Sequence, residues 1–449
     1  MHIEEIKNTA PVEAFAAIRH LPKPFFFAGG FDPARRYSYA GAEPFITLET
    51  GIDGTLIFKG AKQELFAKDP FEMISGLLKR FKPTAKNPFP FSGGLSGYFA
   101  YGLKDAMFGR IPGQDATALP LCMAGVYDTV FVYDHYEKTG HLLCAGVDKN
   151  GKGRFTRIKD AIKNSKALPE KPLPPAGARF TSDVTKQEYV RMINAAHEYI
   201  AAGDIYQINL SQRLQIPWKG DAFALLRRLL KDRPAPFASF MDLGGFQIIS
   251  NSPERLLKVD GSIAETSPIK GTRPRGNTPE EDARLIEELK NSPKENAEHV
   301  MIVDLERSDI GAVCEAASVE VAAFKAIETF PGLHHMTSIV RGRLRRGVDG
   351  LQCLKAIFPG GSVTGAPKIR AMEIIAELEK TPRGIYTGAM GWVDFRGDMD
   401  MAMPIRTAVY KNDTLHLSVG GGIVADSVPE DEYDETILKA RDFLDAVAG

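Results

Sequence analysis

The sequence predicts an α+β protein in which a sheet-rich first half precedes a second half of mixed strands and helices. Short β-rich runs separated by turn residues fill the first half, among them FITLE, GTLIFKG and TVFVYDHY. In the second half, strand-like runs such as FQIIS, GAMGWVDF and MAMPIRTAVY alternate with segments of helical periodicity.

Capping signals mark where the helices of the second half begin. Thr185 and Glu188 have capping-box spacing ahead of YVRMINAAHEYIAA, a segment that Gly203 should end. Thr278 and Ser292 repeat the signal, each with proline at the first helical position and glutamate at the third. The run SVPE precedes EDEYDETILKARDFLDAVA in a similar way, so a final helix is predicted there.

A proline-rich stretch, KALPEKPLPPAGAR over residues 166–179, predicts an exposed linker. It divides the chain into an N-terminal region, 1–165, and a C-terminal region, 180–449. Whether the two regions pack into one large unit is left open by the sequence.

Composition excludes several classes of function. The 449 residues carry 56 basic and 57 acidic side chains, a formal net charge of -1, so no broad electrostatic footprint for nucleic acid or an anionic membrane is expected. The sequence has no signal-peptide pattern and no apolar run of 18 residues, which argues against a membrane protein. The four scattered cysteines disfavour a zinc site or a disulfide framework, and a reducing cytoplasm is the expected location.

Two pairs of carboxylates each lie three residues apart on a predicted helix. Glu295 and Glu298 share one helix face, and Glu432 and Glu435 share another. Together they could form an oxygen-rich site of the kind that Mg²⁺ prefers. The same spacing is common on solvated helix faces, so either pair alone is weak evidence.

Two glycine-rich segments could bring backbone amides close to an anion. GGSVTGAP, residues 360–367, leads into the predicted helix KIRAMEIIAELEK, and Gly420, Gly421 and Gly422 follow the strand-like run HLSV. The spacing of the first segment differs from that of a phosphate loop. Either segment could equally be a tight turn.

One lysine and one glutamate could carry chemistry. Lys270 lies between Pro268 and Gly271 on a constrained segment and could act as a nucleophile if its environment favoured the neutral amine. Glu254, in SNSPERLL, could act as a general acid if burial raised its pKa. The alternatives are a surface lysine and an exposed or salt-bridged glutamate.

The ordered segments SNSPERLL, PIKGT, ENAEHVMIVDLERSDIG, HHMTSIV, FPGGSVTGAPKIRAMEII, IYTGAMGW, PIRTAVY, VGGGIVADS and DEYDETILKA resemble those of the chorismate-binding enzymes. This family includes anthranilate, aminodeoxychorismate, isochorismate and salicylate synthases. The resemblance covers residues 185 to 449, and more loosely the first half through RRYSYAGAEPF and GGLSGYFAYG. It implies an α/β sandwich of two sheets surrounded by helices, with the active site between them.

The resemblance also implies roles for individual residues. Glu298 and Glu435 resemble the ligands of Mg²⁺, with Glu295 and Glu432 acting through water. The remaining matches are Arg406 and Tyr386 at the enolpyruvyl carboxylate of chorismate, Lys439 and the amides of Gly420, Gly421 and Gly422 at its ring carboxylate, Gly271 and Thr272 beside the substrate, and Thr364 and His335 at further active-site positions.

Two positions distinguish branches of the family. Branches that add water to chorismate carry a lysine base where this chain has Gln207. Anthranilate synthases read P-I-A-G-T, whereas this chain reads PIKGT, the form of the aminodeoxychorismate branch. The resemblance therefore implies that Lys270 adds to C2 of chorismate while Glu254 protonates the departing C4 hydroxyl, and that ammonia then attacks C4.

The sequence is also compatible with two other functions. The first is component I of an anthranilate synthase, because one residue carries much of the distinction. The second is an inactive chorismate-binding or scaffolding subunit. No cysteine lies in a G-x-C-x-G-like elbow, so a separate glutamine amidotransferase is expected to supply ammonia. Because PFFFAGG stands where tryptophan-binding relatives have L-L-E-S, tryptophan is expected to leave activity unchanged.

Overall fold

A computed structural model describes residues 1–31, 35–66, 69–81, 83, 88–107, 117–165, 179–330 and 332–448. Its strands form two sheets of twelve strands each, sheet A and sheet B, and the strand pairs are antiparallel. Helices lie outside the sheets. The predicted α+β class and two-sheet sandwich are confirmed.

The elements of the first 165 residues are mostly strands, as predicted. In chain order they are β1 (His2–Ile6), α1 (Pro11–Ile18), β2 (Phe25–Phe27), β3 (Tyr37–Gly41), β4 (Ile46–Gly51), β5 (Gly54–Lys59), β6 (Lys62–Phe66), α2 (Pro70–Leu78), β7 (Gly94–Phe99), α3 (Leu103–Met107), β8 (Cys122–Tyr127), β9 (Thr129–Asp134), β10 (Thr139–Cys144) and α4 (Gly151–Lys163).

The elements after residue 179 mix strands with longer helices. They are β11 (Thr181–Ser182), α5 (Lys186–Ala201), β12 (Gln207–Pro217), α6 (Ala222–Asp232), β13 (Phe237–Asp242), β14 (Gln247–Ser252), β15 (Arg255–Asp260), β16 (Ile263–Ser267), β17 (Ile269–Pro274), α7 (Pro279–Asn291), α8 (Pro293–Gly311), β18 (Glu320–Thr329), β19 (Leu333–Arg343), α9 (Gly350–Ile357), a 3₁₀ turn (Gly361–Val363), β20 (Gly365–Ala366), α10 (Lys368–Leu378), β21 (Ala389–Asp394), β22 (Met399–Ala402), β23 (Thr407–Lys411), β24 (Thr414–Ile423) and α11 (Pro429–Ala448).

Each sheet contains strands from both sides of the predicted linker. Sheet A has the order β1-β10-β9-β3-β2-β13-β14-β23-β24-β12-β11, with β20 also paired to β12. Sheet B has the order β17-β19-β16-β15-β22-β21-β7-β8-β4-β5-β6, with β18 also paired to β19. Residues 166–178 of the linker lie outside the described residues, and the division into regions 1–165 and 180–449 stays a prediction.

An aromatic core fills the space between the sheets. The rings of Phe25 in sheet A and Tyr127 in sheet B have centroids 4.7 Å apart, and those of Tyr39 and Trp392 are 5.7 Å apart. All four side chains are buried. Full burial of one large apolar side chain contributes roughly 1.5–3 kcal/mol, so this layer is a major source of the free energy that holds the sheets together.

The capping signals predicted from the sequence correspond to helix starts. At α5, the Thr185 hydroxyl accepts a hydrogen bond from the backbone N–H of Glu188, whose carboxylate accepts one from the N–H of Thr185. Gly203 follows the end of α5 with φ +79°, a left-handed conformation that glycine adopts at little cost. Thr278 and Ser292 cap α7 and α8.

One strand prediction is wrong. The run MAMPIRTAVY is not a single strand, because β22 belongs to sheet B and β23 to sheet A. Pro404 has no N–H to donate to a ladder, and Arg406 has φ +47°, which no strand tolerates. The chain therefore leaves one sheet and enters the other within this run.

Within the described ranges, no helix combines the length and apolar character needed to cross a membrane.

Candidate active site

Two adjacent crossings between the sheets form the base of the candidate site. Glu254 lies where the chain passes from β14 to β15, and Arg406 lies where it passes from β22 to β23. The N–H of Met403 donates to the carbonyl of Glu254 at 3.0 Å, and the N–H of Asn251 donates to the carbonyl of Arg406 at 2.9 Å. These bonds join the crossings, so that residues far apart in sequence are positioned together.

Glu254 is a buried carboxyl group that accepts a hydrogen bond from Ser362, and a backbone hydrogen bond from Ile269 also lowers its pKa. It is 5% exposed, and the Ser362 hydroxyl donates to its Oε1 at 2.6 Å. Burial raises the pKa of Glu254 to about 7, although the Ser362 hydrogen bond and the nearby Lys270 ammonium both lower it. A carboxyl group with this pKa is partly protonated at neutral pH and can donate a proton.

The Lys270 amine points into the same site. Its Nζ lies 3.8 Å from Glu298 Oε2, and the two side chains are 13% and 14% exposed. A Cβ on Gly422 would lie 3.3 Å from this Nζ and 2.7 Å from Gln207 Nε2. Gly422 therefore leaves room for Lys270 and Gln207 to meet at one wall.

Gln207 and His335 carry unpaired polar atoms in this wall. Gln207 is fully buried, and both atoms of its carboxamide lack a hydrogen-bond partner among the described residues. His335 Nε2 is likewise unpaired there, while Nδ1 lies 2.8 Å from the Thr272 hydroxyl. Burial and the Arg406 charge lower the pKa of His335 to about 3, so the ring is neutral. Since a buried unpaired polar group costs about 1–3 kcal/mol, these atoms are suited to a polar ligand.

The carboxylates of α8 approach those of α11. Lys294 Nζ on α8 lies 3.6 Å from Glu432 Oε1 on α11, and the buried Glu432 also accepts a hydrogen bond from Ser427 at 2.7 Å. Burial raises the pKa of Glu298, opposed by Lys270 and Lys294, and the charge of Glu432 raises it further.

Glu435 and Glu295 occupy the rim of this acidic cluster. Glu435 is 51% exposed and lies 2.7 Å from the Lys439 ammonium. Although partial burial opposes it, Lys439 lowers the pKa of Glu435. Glu295 lies 3.5 Å from Arg273, and a Cβ on Gly271 would lie 3.1 Å from its Oε2. Within the described ranges, no three Asp, Glu, His or Cys side chains are arranged to hold a metal ion by themselves.

The glycines of β24 border the site along an open sheet edge. β23 pairs with β24 only from Thr414 to Leu417, whereas β12 pairs along the whole strand. Beyond Leu417, one edge of β24 is therefore free of any described strand. Lys439 Nζ donates to the carbonyl of Gly420 at 3.0 Å, and a Cβ on Gly421 would lie 3.2 Å from a carboxylate oxygen of Glu432.

Tyr386 lies beside Gly420 of β24, and Thr364 lies beside the neighbouring strand β12. A Cβ on Gly420 would lie 2.8 Å from the Tyr386 hydroxyl and 2.9 Å from Asn209 Oδ1. Thr364 is fully buried, and its hydroxyl donates to the carbonyl of Gly360 at 3.0 Å. The hydroxyl of Thr364 thus closes the glycine-rich turn.

Sequence reasoning missed several residues that shape the site. Arg383 is buried, forms a 2.8 Å ion pair with Glu379, and donates to the carbonyls of Asn209 and Val363 at 2.6 and 2.9 Å. Glu379 is only four residues from Arg383, but the two carbonyls that Arg383 binds, those of Asn209 and Val363, are 174 and 20 residues away, so the sequence does not show that Arg383 joins them. Ser362, which bonds Glu254, could have been singled out as the one residue of the turn, besides Thr364, with a side-chain donor.

These contacts place the predicted residues in one cluster that includes parts of both sheets, with differing exposure. Glu254, Tyr386, Thr364, His335 and Glu432 are buried, whereas Glu435 and Thr272 lie at the exposed rim.

Comparison with known proteins shows which family the chain resembles. The chorismate binding enzyme family model matches residues 26–445. Anthranilate synthase component 1 of Aquifex aeolicus (strain VF5) is 39% identical over 436 residues, 94% of this chain and 88% of that protein. Aminodeoxychorismate synthase component 1 of Escherichia coli (strain K12) is 36% identical over 436 residues, 96% and 94% of the two chains.

The same similarity extends to three dimensions. The crystal structure of anthranilate synthase component I from Streptococcus pneumoniae TIGR4 superposes with a TM-score of 0.81 at 32% sequence identity, covering 93% of this chain and 94% of that one. With a family model that matches nearly the whole sequence, and with relatives well above 30% identity, the chain belongs to the chorismate-binding enzyme family.

Proposed function

We propose that the protein converts chorismate and ammonia to 4-amino-4-deoxychorismate. The observation that carries the proposal is the position of Lys270, whose amine lies 3.8 Å from Glu298 and close enough to Glu254 to lower its pKa. After loss of its proton the Lys270 amine would be the nucleophile, and protonated Glu254 would be the acid, the pair of groups that two successive allylic displacements require.

In the first step the Lys270 nitrogen bonds to C2 as the C4–O bond breaks. The proton of Glu254 leaves with the hydroxyl as water, and the amine loses a proton to a carboxylate of the cleft. In the second step ammonia bonds to C4 as the C2–N bond breaks. The proton lost by the new C4 amine returns to Glu254, and Lys270 recovers its own. Holding the reactants in one cleft also removes much of the entropic part of the barrier.

Substrate anchoring is assigned to cationic and backbone groups. Arg406 and Tyr386 would bind the enolpyruvyl carboxylate, and Lys439 with the glycine amides of β24 would bind the ring carboxylate. Arg406 supports this assignment because it is held at φ +47°, and its ion pair among the described residues is a long one, with Asp442 at 3.9 Å. Strained backbone of this kind costs about 1–3 kcal/mol and is concentrated at functional sites.

A Mg²⁺ ion fits the carboxylates of the cleft. Glu298 and Glu435 would hold it, with Glu295 and Glu432 acting through water, and the oxygen donors suit a hard cation that keeps several waters. Within the described residues no three such side chains could hold the ion by themselves, so oxygens of substrate and water would have to complete its coordination. Bound there, Mg²⁺ would supply positive charge at the ring carboxylate.

The two relatives are both named as component 1 of a synthase, which supports a second, ammonia-supplying component. We propose a glutamine amidotransferase as that partner, with high free ammonia as its substitute in vitro.

The direct test is to identify the product. Purified chain is incubated with chorismate, Mg²⁺ and ammonium, with and without an aminodeoxychorismate lyase, and the products are resolved by chromatography and mass. We expect an amine that becomes 4-aminobenzoate only when the lyase is present. A fluorescent anthranilate product would instead establish the second candidate, which the 39% identity to an anthranilate synthase component favours. No consumption of chorismate, even with the amidotransferase, would indicate an inactive subunit.

The covalent step has its own test. Enzyme quenched with chorismate in the absence of ammonia should carry, on Lys270, a mass equal to chorismate minus one water. Lys270→Ala should lose both the adduct and turnover. Lys290→Ala, at an exposed lysine of α7, is the matched control and should retain both. An adduct that persists in Lys270→Ala contradicts the assignment.

A further inference from the structure

Each carboxylate assigned to the Mg²⁺ site is already paired with a cation of the chain itself. The four ion pairs are Glu298 with Lys270 at 3.8 Å, Glu432 with Lys294 at 3.6 Å, Glu295 with Arg273 at 3.5 Å, and Glu435 with Lys439 at 2.7 Å. A divalent ion that enters this cluster must therefore compete with positive charges that the protein supplies.

These pairs meet around two glycines of β24. A Cβ on Gly421 would lie 3.2 Å from Glu432 Oε2 and 3.9 Å from Lys439 Nζ, and a Cβ on Gly422 would lie 3.3 Å from Lys270 Nζ. Side chains from β17 and α11 thus approach the same short stretch of backbone. A charge in one pair therefore acts on the carboxylates of the others.

Lys294 differs from the other three cations in its freedom to move. Its side chain is 48% exposed, and Glu432 is the one partner of its ammonium among the described residues. Lys270 is 13% exposed, whereas Arg273 and Lys439 are each held by a further hydrogen bond to a backbone carbonyl. Rotation of its flexible stem can therefore carry the Lys294 ammonium into solvent by breaking a single ion pair.

The position of Lys294 in α8 is unfavourable for a cation by itself. It is the second residue of the helix, where the helix dipole places positive partial charge. Partial burial also lowers the pKa of Lys294, but the charges of Glu432, Glu298, Asp426 and Glu435 raise it by more. The ammonium is thus held in place by carboxylates that include those assigned to the metal.

We propose that Lys294 is a tethered counterion that competes with Mg²⁺ for the carboxylates of the cleft and withdraws toward solvent when the ion binds. Before the ion binds, the ammonium limits the repulsion among Glu298, Glu432 and Glu435. The same charge lowers the affinity of the free protein for Mg²⁺. The inference rests on the Mg²⁺ site of the proposed function, but not on which amine is formed.

The test is Mg²⁺ binding to the purified protein, measured by isothermal titration calorimetry without chorismate or ammonia. Lys294→Met keeps a long unbranched side chain and removes the charge. We expect its Kd for Mg²⁺ to fall by about tenfold, the effect of removing one positive charge several ångströms from a divalent ion in surroundings close to water. The increase in Tm produced by a fixed Mg²⁺ concentration should be larger than in the wild type. An unchanged or higher Kd overturns the proposal.

Three further variants separate competition at this site from a general effect of charge. Lys294→Arg keeps the charge and should bind Mg²⁺ as the wild type does. Lys290→Met removes an exposed lysine of α7 that pairs with Glu287, and should also leave the Kd unchanged. Addition of Glu298→Gln to Lys294→Met should cancel the gain in affinity. A gain that persists in this double variant would place the ion outside the cleft and overturn the proposal.

A measurement on the wild type covers the case in which Lys294→Met fails to fold. Lysine acetylation followed by mass spectrometry should modify Lys294 faster when Mg²⁺ is present, because the amine has left its carboxylates, and Lys290 should react equally fast with and without the ion. An equal rate at Lys294 overturns the proposal. If the product of the reaction is anthranilate, the proposed function fails and this inference stands, because no measurement here involves chorismate.

Discussion

The Ser362 hydroxyl lies 2.6 Å from Glu254 Oε1 and donates its hydrogen bond to a carboxyl group that is 5% exposed. A donor at this distance stabilises the ionised form of the acid, whereas burial stabilises the protonated form. The charge of Lys270 and a backbone hydrogen bond from Ile269 also lower the pKa of Glu254, and the contribution of Ser362 can be removed by a single substitution.

Ser362→Ala should shift the alkaline limb of chorismate consumption to higher pH. Loss of the hydrogen bond removes stabilisation of the carboxylate, so the pKa of Glu254 rises by about one unit, as expected for a bond to a charged group. The measurement is kcat against pH. Ser75→Ala is the matched control, because the Ser75 hydroxyl donates a 2.5 Å bond to Asp349, remote from the site. A limb that moves to lower pH would contradict the account.

Glu254→Gln should abolish turnover and stabilise the fold at alkaline pH. The folded-state pKa of Glu254, about 7, lies above the ordinary value of 4.5. Glu254 therefore favours folding below about pH 4.5, and that contribution is lost as pH rises through 7. The difference in free energy of unfolding between variant and wild type should grow from pH 5 to pH 8, by up to about 3 kcal/mol.

That stability difference is measured by urea unfolding at both pH values. Glu5→Gln, at an exposed glutamate of β1, serves as the control and should show no such growth. A difference that shrinks with pH would mean that Glu254 is ionised in the folded protein.

Glu298→Gln should raise the Mg²⁺ concentration needed for half-maximal rate by at least about tenfold. Replacing a carboxylate by an amide removes one of the two charges proposed to hold the ion and also the neighbour 3.8 Å from Lys270. The increase in Tm produced by Mg²⁺ should shrink in parallel, a readout independent of turnover. Glu280→Gln, at an exposed glutamate of α7, should respond to Mg²⁺ like the wild type. An equal Mg²⁺ response in both variants would remove Glu298 from the metal site.

Arg383→Ala should destabilise the protein by about 3–5 kcal/mol, because it leaves the buried Glu379 without its partner. Two backbone carbonyls that flank the site lose their donor as well, so kcat should fall in the protein that remains folded. Urea unfolding and steady-state kinetics measure the two effects. The exposed pair Arg284–Glu288 is the control, since Arg284→Ala should cost less than about 1 kcal/mol. A similar loss in free energy of unfolding for Arg383→Ala and Arg284→Ala would contradict a buried structural role for Arg383.

The local elements of the second half could be read from the sequence because their signals are local. The Thr185 capping box and the stop at Gly203 are both formed by residues within one or two turns of the helix end. Ser292 also caps its helix, but Glu295 at the third position does not complete a capping box. Its carboxylate lies beside Arg273 in the cleft, so the site overrides the local preference.

The candidate site could be predicted only in part. The motifs around Glu254 and Lys270 single out both residues, yet the burial that raises the pKa of Glu254 depends on long-range packing. Arg383 was missed for the same reason, because the carbonyls that it binds, those of Asn209 and Val363, belong to other parts of the fold. The sequence also does not predict that each sheet contains strands from both regions of the chain. Which distant segments pair cannot be inferred from the residues of either segment alone.

Glu254 and Arg406 lie on two hydrogen-bonded segments that each connect sheet A to sheet B. The distance between the Glu254 carboxyl group and the Arg406 guanidinium therefore depends on how the two sheets pack. Glu254 and Arg406 each stand on a bridge across the gap that Phe25, Tyr127 and their aromatic neighbours fill. Because both crossings connect the same two sheets, a change in the packing between the sheets would move the two groups and alter which molecules can contact both of them. Substitutions in the aromatic core between the sheets can therefore change ligand preference, although these residues do not contact the ligand.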